Sequence, residues 1–323
     1  MKTYPDLRLR RLRKSAEIRE ILGETSIELR KLVMPVFVDE NITSPVEIVN
    51  MPGIYRIPVE GAVEKAKEYE KLGIKSILLF GVPKYKDSMG SSSFDPKGVV
   101  QRAISSVKEE TNIVVWADLC LCEYTDTGHC GLVKDGLIDN DSTLEVYAKI
   151  ARSYAEAGVD GVAPSGMMDG QVSRIRKELD SSGYQDTLIL AYSSKFASSL
   201  YSPFREAVNS APAFGDRKAY QMNYRNRREA IREIEEDIEE GADIVMVKPA
   251  LFYLDIIREA RNRFDIPVAA YSVSAEYSMI KTAADQGIID LRPVVEESLA
   301  AIFRAGADLV ISYFTEYYAS IRQ

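Results

Sequence analysis

One phrase recurs along most of the chain: an amphipathic stretch closes on a glycine, two or three residues follow, and a short apolar run begins. It is found in residues 62–80, which end in Gly73-Ile-Lys-Ser-Ile-Leu-Leu-Phe80, and again around Gly158-Val-Asp-Gly-Val-Ala163, Gly241-Ala-Asp-Ile-Val-Met-Val247 and Gly306-Ala-Asp-Leu-Val-Ile311. A glycine in that position caps a helix by taking the left-handed conformation. Each apolar run is too short for a helix and too continuous for a half-exposed strand, so the phrases are βα units with buried strands. Residues Leu32–Val38, Ile113–Ala117, Leu188–Tyr192 and Pro267–Tyr271 read as further strands, bringing the total to eight.

Eight such units close a barrel, and the expected fold is a (β/α)8 TIM barrel over residues 31–323. A doubly wound open sheet is the alternative, but no glycine-rich phosphate loop joins the first strand to its helix. Residues 1–30 stand apart: they are charged, contain Pro5 and Gly23, and carry the basic run Arg8-Leu-Arg-Arg-Leu-Arg-Lys14. They read either as an N-terminal arm reaching onto another subunit or as a helix covering the barrel floor.

The active site of such a barrel lies at the C-terminal ends of its strands. The residues there are unusually polar: Asp118, Pro164-Ser165-Gly166, Tyr192-Ser-Ser-Lys195, Lys248-Pro249, Tyr271-Ser-Val-Ser274 and Ser312-Tyr313. Lys248 and Lys195 close neighbouring strands. Two ammonium groups held close in a partly dry cavity disfavour each other's charge, which yields free amine near neutral pH and points to Schiff-base chemistry on a ketone. A lysine snorkelling to the rim is the plainer reading.

All three cysteines fall within eleven residues, at Cys120, Cys122 and Cys130. Too few for a disulfide framework, they read as a thiolate set for zinc with one coordination position open, the arrangement of a working metal. His129 is a further candidate ligand, and Glu123 and Asp126 are either neighbours of the metal site or solvated loop residues. The excursion from Phe196 to about Arg225 is long for a barrel loop and reads as a lid, whose Arg205 and Arg217 are suited either to gripping a substrate carboxylate or to exposed salt bridges.

Composition narrows the class. With 323 residues, 46% of them hydrophobic and 28% charged, the chain can bury a large core, and its formal charge of -8 argues against a nucleic-acid partner. No run approaches the roughly 18 to 20 apolar residues of a membrane span, and the N-terminus carries charges where a signal peptide is apolar, so no membrane association and a cytoplasmic location are expected.

Taken together, Asp118-Leu-Cys-Leu-Cys-Glu-Tyr-Thr-Asp-Thr-Gly-His-Cys-Gly131, Ala163-Pro-Ser-Gly-Met-Met-Asp-Gly170, Ala191-Tyr-Ser-Ser-Lys-Phe-Ala197, Phe204-Arg-Glu-Ala, Phe214-Gly-Asp-Arg-Lys, Met246-Val-Lys-Pro and Tyr313 resemble the porphobilinogen synthase (5-aminolevulinate dehydratase) family over almost the whole chain. The resemblance implies a lyase of haem and tetrapyrrole synthesis that condenses two 5-aminolevulinate molecules with loss of two waters. Lys248 matches the lysine that forms a Schiff base with the first-bound substrate, and Lys195 the second-site lysine, held also to form one. Ser274 and Tyr313 match groups around the first substrate's carboxylate, and Arg205, Arg217 and Gln221 those around the second's. Asp118 and Ser165 are candidates for orienting the second substrate's amino group, while no residue is assigned as the general base.

Cys120, Cys122 and Cys130 match the catalytic zinc ligands of the zinc-dependent members. Glu233 matches an acidic residue tied to an additional, allosteric magnesium, although Met222-Asn-Tyr-Arg-Asn226 departs from the family's usual run there and Ala250 stands where glycine is common. The family assembles as homo-octamers through N-terminal arms, which favours the arm reading of residues 1–30. The competing expectations are a Schiff-base aldolase with one lysine and no metal, and a non-enzymatic barrel with a structural zinc knuckle.

Overall fold

The computed structural model describes residues 6–208 and 210–322. Eight parallel strands pair in chain order: β1 (Leu32–Asp39), β2 (Ser76–Val82), β3 (Val114–Leu119), β4 (Gly161–Pro164), β5 (Leu188–Lys195), β6 (Ile244–Lys248), β7 (Val268–Ser272) and β8 (Leu309–Ser312). The last returns to the first through the pairs Leu32–Val310 and Val33–Ile311, so the sheet is a closed (β/α)8 barrel. All eight residues of β1 and all seven of β2 are buried, as the continuous apolar runs require when a sheet is covered on both faces.

Helices fill the connections and turn one stripe to the sheet. The helix Val99–Glu110, for example, buries Val99, Val100, Ala103, Ile104 and Val107, spaced for a single face. The glycines that close the amphipathic stretches take the expected left-handed conformation, with φ of 92° at Gly158 and 100° at Gly241.

Several strands run further than their apolar cores. β3 continues through Asp118, β5 through Lys195 and β6 to Lys248, because each polar end residue still finds a partner on the adjacent strand. Asp118, Lys195 and Lys248 therefore stand on the sheet rather than on the loops that follow it. Between β5 and β6 the register shifts: Val245 pairs with Ala191, yet Val247 pairs with Ser194, so β5 carries one extra residue.

Three excursions rise from the mouth. A short antiparallel pair, Val46–Glu47 with Tyr55–Pro58, follows β1. The cysteine loop and a hairpin, Leu132–Lys134 with Leu137–Asp139, follow β3. The third is the expected lid after β5, and it is only partly irregular: a single 3-10 turn at Ser199–Tyr201 leads into a helix at Ser202–Ala207.

Ahead of the barrel lie a 3-10 segment at Leu9–Arg13 and a helix at Ala16–Ile21, with Leu7, Leu9, Leu12, Ile21 and Leu22 all exposed. Residues 1–5 of the expected arm lie outside the described residues. Among the described residues no helix is long and apolar enough to cross a membrane.

Candidate active site

Lys195 and Lys248 occupy paired positions at the ends of β5 and β6, and each is about 5% exposed. Both line a small, tightly closed cavity of about 20 Å³ together with Asp118, Cys122, Glu123 and Ser165. Burial, reinforced by the neighbouring Lys195 charge, lowers the Lys248 pKa from its ordinary 10.5 to about 7. A substantial fraction of this amine is therefore unprotonated and nucleophilic at neutral pH. Lys195 donates to the backbone carbonyl of Ser165, which aims its amine across the mouth toward β4.

Asp118, on β3, is buried among these groups. Its Oδ2 accepts from the Ser165 hydroxyl at 3.0 Å, and its Oδ1 is buried without a hydrogen-bond partner. Desolvation raises its pKa, against the opposing pull of Lys248 and Lys195. An unsatisfied carboxylate oxygen beside two amines is suited to accept from a cationic amino group.

The three cysteines are all buried, and their sulfur atoms lie within 4.8 Å of one another. Cys120 Sγ stands 3.5 Å from Cys122 Sγ. Burial foremost pushes the Cys120 thiol up, and the Cys122 thiol is raised by its sulfur neighbours and by burial. Cys130 is lowered, because the other two thiols donate to it and Arg217 and Lys195 add positive charge. Three converging soft donors on one bent loop fit a thiophilic metal ion, and one of them, Cys122, also lines the cavity that holds the lysines.

His129 does not join that set. Its Nδ1 meets the Tyr220 hydroxyl at 3.0 Å and its Nε2 the Phe214 carbonyl oxygen at 3.0 Å, so both ring nitrogens bind the lid. Asp126 is exposed. Glu123 is buried, accepts from Cys122 Sγ at 3.3 Å, and is pushed up to about 7 by burial and by the nearby Asp118 charge.

Over the mouth, Arg217 is about 5% exposed and donates through Nη2 to the carbonyls of Gly128 and Ser210. Burial works against its charge, but Cys130 and Cys122 outweigh that and raise its pKa. Arg205 lies on the short lid helix, and its pKa is lowered by burial and by Arg217. The Nε atoms of both arginines and both amide atoms of Gln221 are buried without partners. The two Nε–H groups and the Gln221 Nε2 amide are unsatisfied donors beside two positive charges and suit a carboxylate.

Ser274 begins a helix after β7; its hydroxyl accepts from the Phe204 backbone N–H at 3.1 Å and donates to the Leu200 carbonyl at 3.3 Å. Tyr313, just past β8, shares a 3.0 Å hydrogen bond with the Tyr271 hydroxyl. Glu233 is not at the mouth. It lies on the helix Arg227–Glu239 in a different recess, beside Asp169, Glu229, Glu236 and Glu240, and burial with these like charges lifts it to about 7.

Sequence reasoning missed the rings around Lys248, from Tyr192, Tyr201, Phe204 and Tyr271. Tyr192 and Tyr271 were visible as strand-end residues, but nothing in their spacing says which lysine they face. Lys86, half-buried in the loop after β2, was also missed; burial lowers its pKa while Glu123 and Cys122 oppose that.

Comparison with known proteins accords with this geometry. The family model for delta-aminolevulinic acid dehydratase matches residues 6–321. The delta-aminolevulinic acid dehydratase of Methanothermus sociabilis is 53% identical over 311 residues, covering 96% of this chain and 97% of its own. That of Methanothermobacter thermautotrophicus is 54% identical over 313 residues, covering 96% of each. The crystal structure of the Toxoplasma gondii enzyme in complex with the reaction product porphobilinogen superposes with a TM-score of 0.95 at 42% identity, over 98% of this chain and 91% of that one. A match spanning barrel, cysteine loop and lid together establishes that the chain belongs to the delta-aminolevulinic acid dehydratase family.

Proposed function

We propose that this protein is a porphobilinogen synthase, a hydro-lyase that condenses two molecules of 5-aminolevulinate into porphobilinogen with loss of two waters. The observation that carries the reading is the pair of buried lysines, side by side at one barrel mouth. One lysine suffices to activate one ketone; two suit a reaction between two keto substrates.

Lys248, with its pKa near 7, supplies the amine that attacks the ketone of the first substrate. Ser274 and Tyr313 are the groups proposed for that substrate's carboxylate. Lys195 does the same for the second substrate, whose carboxylate meets Arg205, Arg217 and Gln221, while Asp118 and Ser165 hold its amino group. The unpartnered Oδ1 of Asp118 and the unpartnered lid donors support these roles. The two waters leave as the two ketones condense with the lysine amines; the carbon–carbon and carbon–nitrogen bonds then form at those imine carbons, and each lysine departs as free amine, so two waters are lost in all. Holding both substrates at one barrel mouth makes their reaction effectively intramolecular.

Cys120, Cys122 and Cys130 would hold a zinc ion. Zinc bound there supplies a Lewis acid beside the second lysine, able to polarise a substrate oxygen or acidify water. The residues themselves give it three thiolates, one already favoured at Cys130, and Glu123 accepts from Cys122 next to it.

Glu233, with Asp169 in its acidic recess, is the proposed place of a regulatory magnesium. Residues 1–30 form an arm that builds a homo-octamer from barrels spanning 31–323, supported by the exposed leucines among its arginines. A cytoplasmic setting suits three buried thiols that must stay reduced to bind metal. An assay of 5-aminolevulinate turnover to the pyrrole, with and without a zinc chelator, tests the core of the reading. A folded, zinc-loaded protein that forms no pyrrole would overturn it.

A further inference from the structure

Four aromatic rings converge on Nζ of Lys248. Their centroids lie 4.2 Å away for Tyr271, 4.7 Å for Tyr192, 5.3 Å for Phe204 and 5.4 Å for Tyr201. Tyr192 and Tyr271 come from β5 and β7, the strands on either side of the one that carries Lys248, and Tyr201 and Phe204 come down from the lid. Lys195 differs. It meets a single ring, Tyr192, at 5.7 Å, and its amine is held by the Ser165 carbonyl.

Rings used merely as apolar walls need not gather around one nitrogen. The negative faces of aromatic rings attract a cation within about 6 Å, and more strongly where water is excluded. Free Lys248 profits little from this, because a compact ammonium with three N–H donors loses more in hydration than ring faces return, and its pKa falls to about 7. An iminium has one N–H and spreads its charge onto carbon, so it gives up less hydration on entering the same enclosure.

We propose that this aromatic cage is a catalytic device that selectively stabilises the iminium cation formed on Lys248, and that it makes Lys248 rather than Lys195 the lysine whose imine persists. The proposal rests on the reading of Lys248 as a Schiff-base lysine. In the step concerned, the amine lone pair forms a bond to the ketone carbon and the carbon–oxygen bond breaks. The oxygen leaves as water, taking one proton from the amine nitrogen and one from solvent, so the positive charge ends on the carbon–nitrogen double bond inside the cage. Ring faces fixed before the charge appears need no reorganisation to meet it.

The test grades the ring faces at nearly constant shape, each fluorinated ring being compared with phenylalanine at the same position. Tyr271 is replaced by phenylalanine and then by mono-, di- and trifluorophenylalanine, which withdraw electron density from the face stepwise. Phe204 is replaced by the same fluorinated series, which costs no hydroxyl and serves if the Tyr271 variants fold poorly by circular dichroism. The probe is 4-oxopentanoate, the keto acid with the substrate's skeleton and no amino group. Borohydride trapping and peptide mass spectrometry then give the equilibrium constant for the Lys248 adduct. The expected result is a stepwise fall with each fluorine, roughly 5- to 30-fold over the series, and no trend for the Lys195 adduct measured in a Lys248→Met background. A flat series with Lys248 still labelled would overturn the cage and leave the proposed function standing. Absence of any Lys248 adduct in the wild-type protein would instead overturn the Schiff-base reading beneath it.

Discussion

Lys248 pairs directly with Lys195 because β5 holds one residue more than β6 between the Val245–Ala191 and Val247–Ser194 pairs. In regular register Lys248 would stand beside Ser194. Successive strand residues face opposite sides, so a one-residue offset would send the two lysines to different faces of the sheet. The bulge thus brings two like charges to one buried mouth, and that repulsion is part of what lowers the Lys248 pKa.

Loss of either amine should be severe but distinguishable. Lys248→Ala is expected to abolish turnover with the barrel intact, since no other residue offers an amine at that position. Lys195→Ala should be nearly as damaging, yet should still allow one substrate to be trapped on Lys248 by borohydride. Mass spectrometry of the reduced peptide decides the matter, and an adduct confined to some other lysine would refute both roles.

The rate of trapping 4-oxopentanoate on Lys248 should rise with pH through about 7, as the amine loses its proton. In Lys195→Met one repelling charge is gone, so the midpoint should move upward. Stability carries the opposite side of the same shift. The folded pKa lies below the ordinary 10.5, so between about 7 and 10.5 the unfolded chain binds more protons, and rising pH stabilises the native state. Lys248→Met should accordingly gain most in Tm over the wild type below pH 7, with the gain fading toward pH 10.5. A difference in Tm independent of pH would contradict the buried-amine account.

Cys122→Ser keeps the side-chain size but removes a soft ligand, so most of the zinc and most of the turnover should be lost while the barrel stays folded. Because each thiol must lose a proton to ligate, zinc affinity should weaken steeply as pH falls. Elemental analysis, circular dichroism and a rate assay on one preparation separate a working metal from a structural one. A zinc-free, folded sample turning over at the parent rate would end the catalytic-zinc reading.

The Tyr220 hydroxyl touches both His129 Nδ1, at 3.0 Å, and the Cys130 backbone N–H, at 3.4 Å, which clasps the lid to the cysteine loop. Tyr220→Phe should cost about 0.5–1.5 kcal/mol per lost hydrogen bond. The expected signature is faster amide exchange across residues 210–221 and a raised KM for the second substrate, with the Lys248 adduct unaffected. Unchanged exchange would show that the clasp does not hold the lid.

Removing residues 1–14 should shift the protein to smaller species in analytical ultracentrifugation. The deleted stretch carries the exposed Leu7, Leu9 and Leu12 among its arginines, surface that a neighbouring acidic barrel can cover. An unchanged sedimentation profile would leave the segment without that role.

The chain's pattern alone determined the eight strands, the glycine-capped helices before them, the clustered cysteines and the polar residues at the strand ends. All of these are local: a burial period, a cap or a spacing lies within a dozen residues and is written in the chain. It could not decide whether His129 was a ligand, since that depended on Tyr220 and Phe214, 91 and 85 residues away. Nor could it separate Glu123, buried beside Cys122, from Asp126, exposed three residues later on the same loop. That Lys195 and Lys248, expected on neighbouring strands, pair in direct register, and that rings cage Lys248, likewise waited on the fold. Both depend on register between strands and on a lid closing over them, and a single extra residue in β5, invisible in a hydrophobic pattern, chooses which side chains meet.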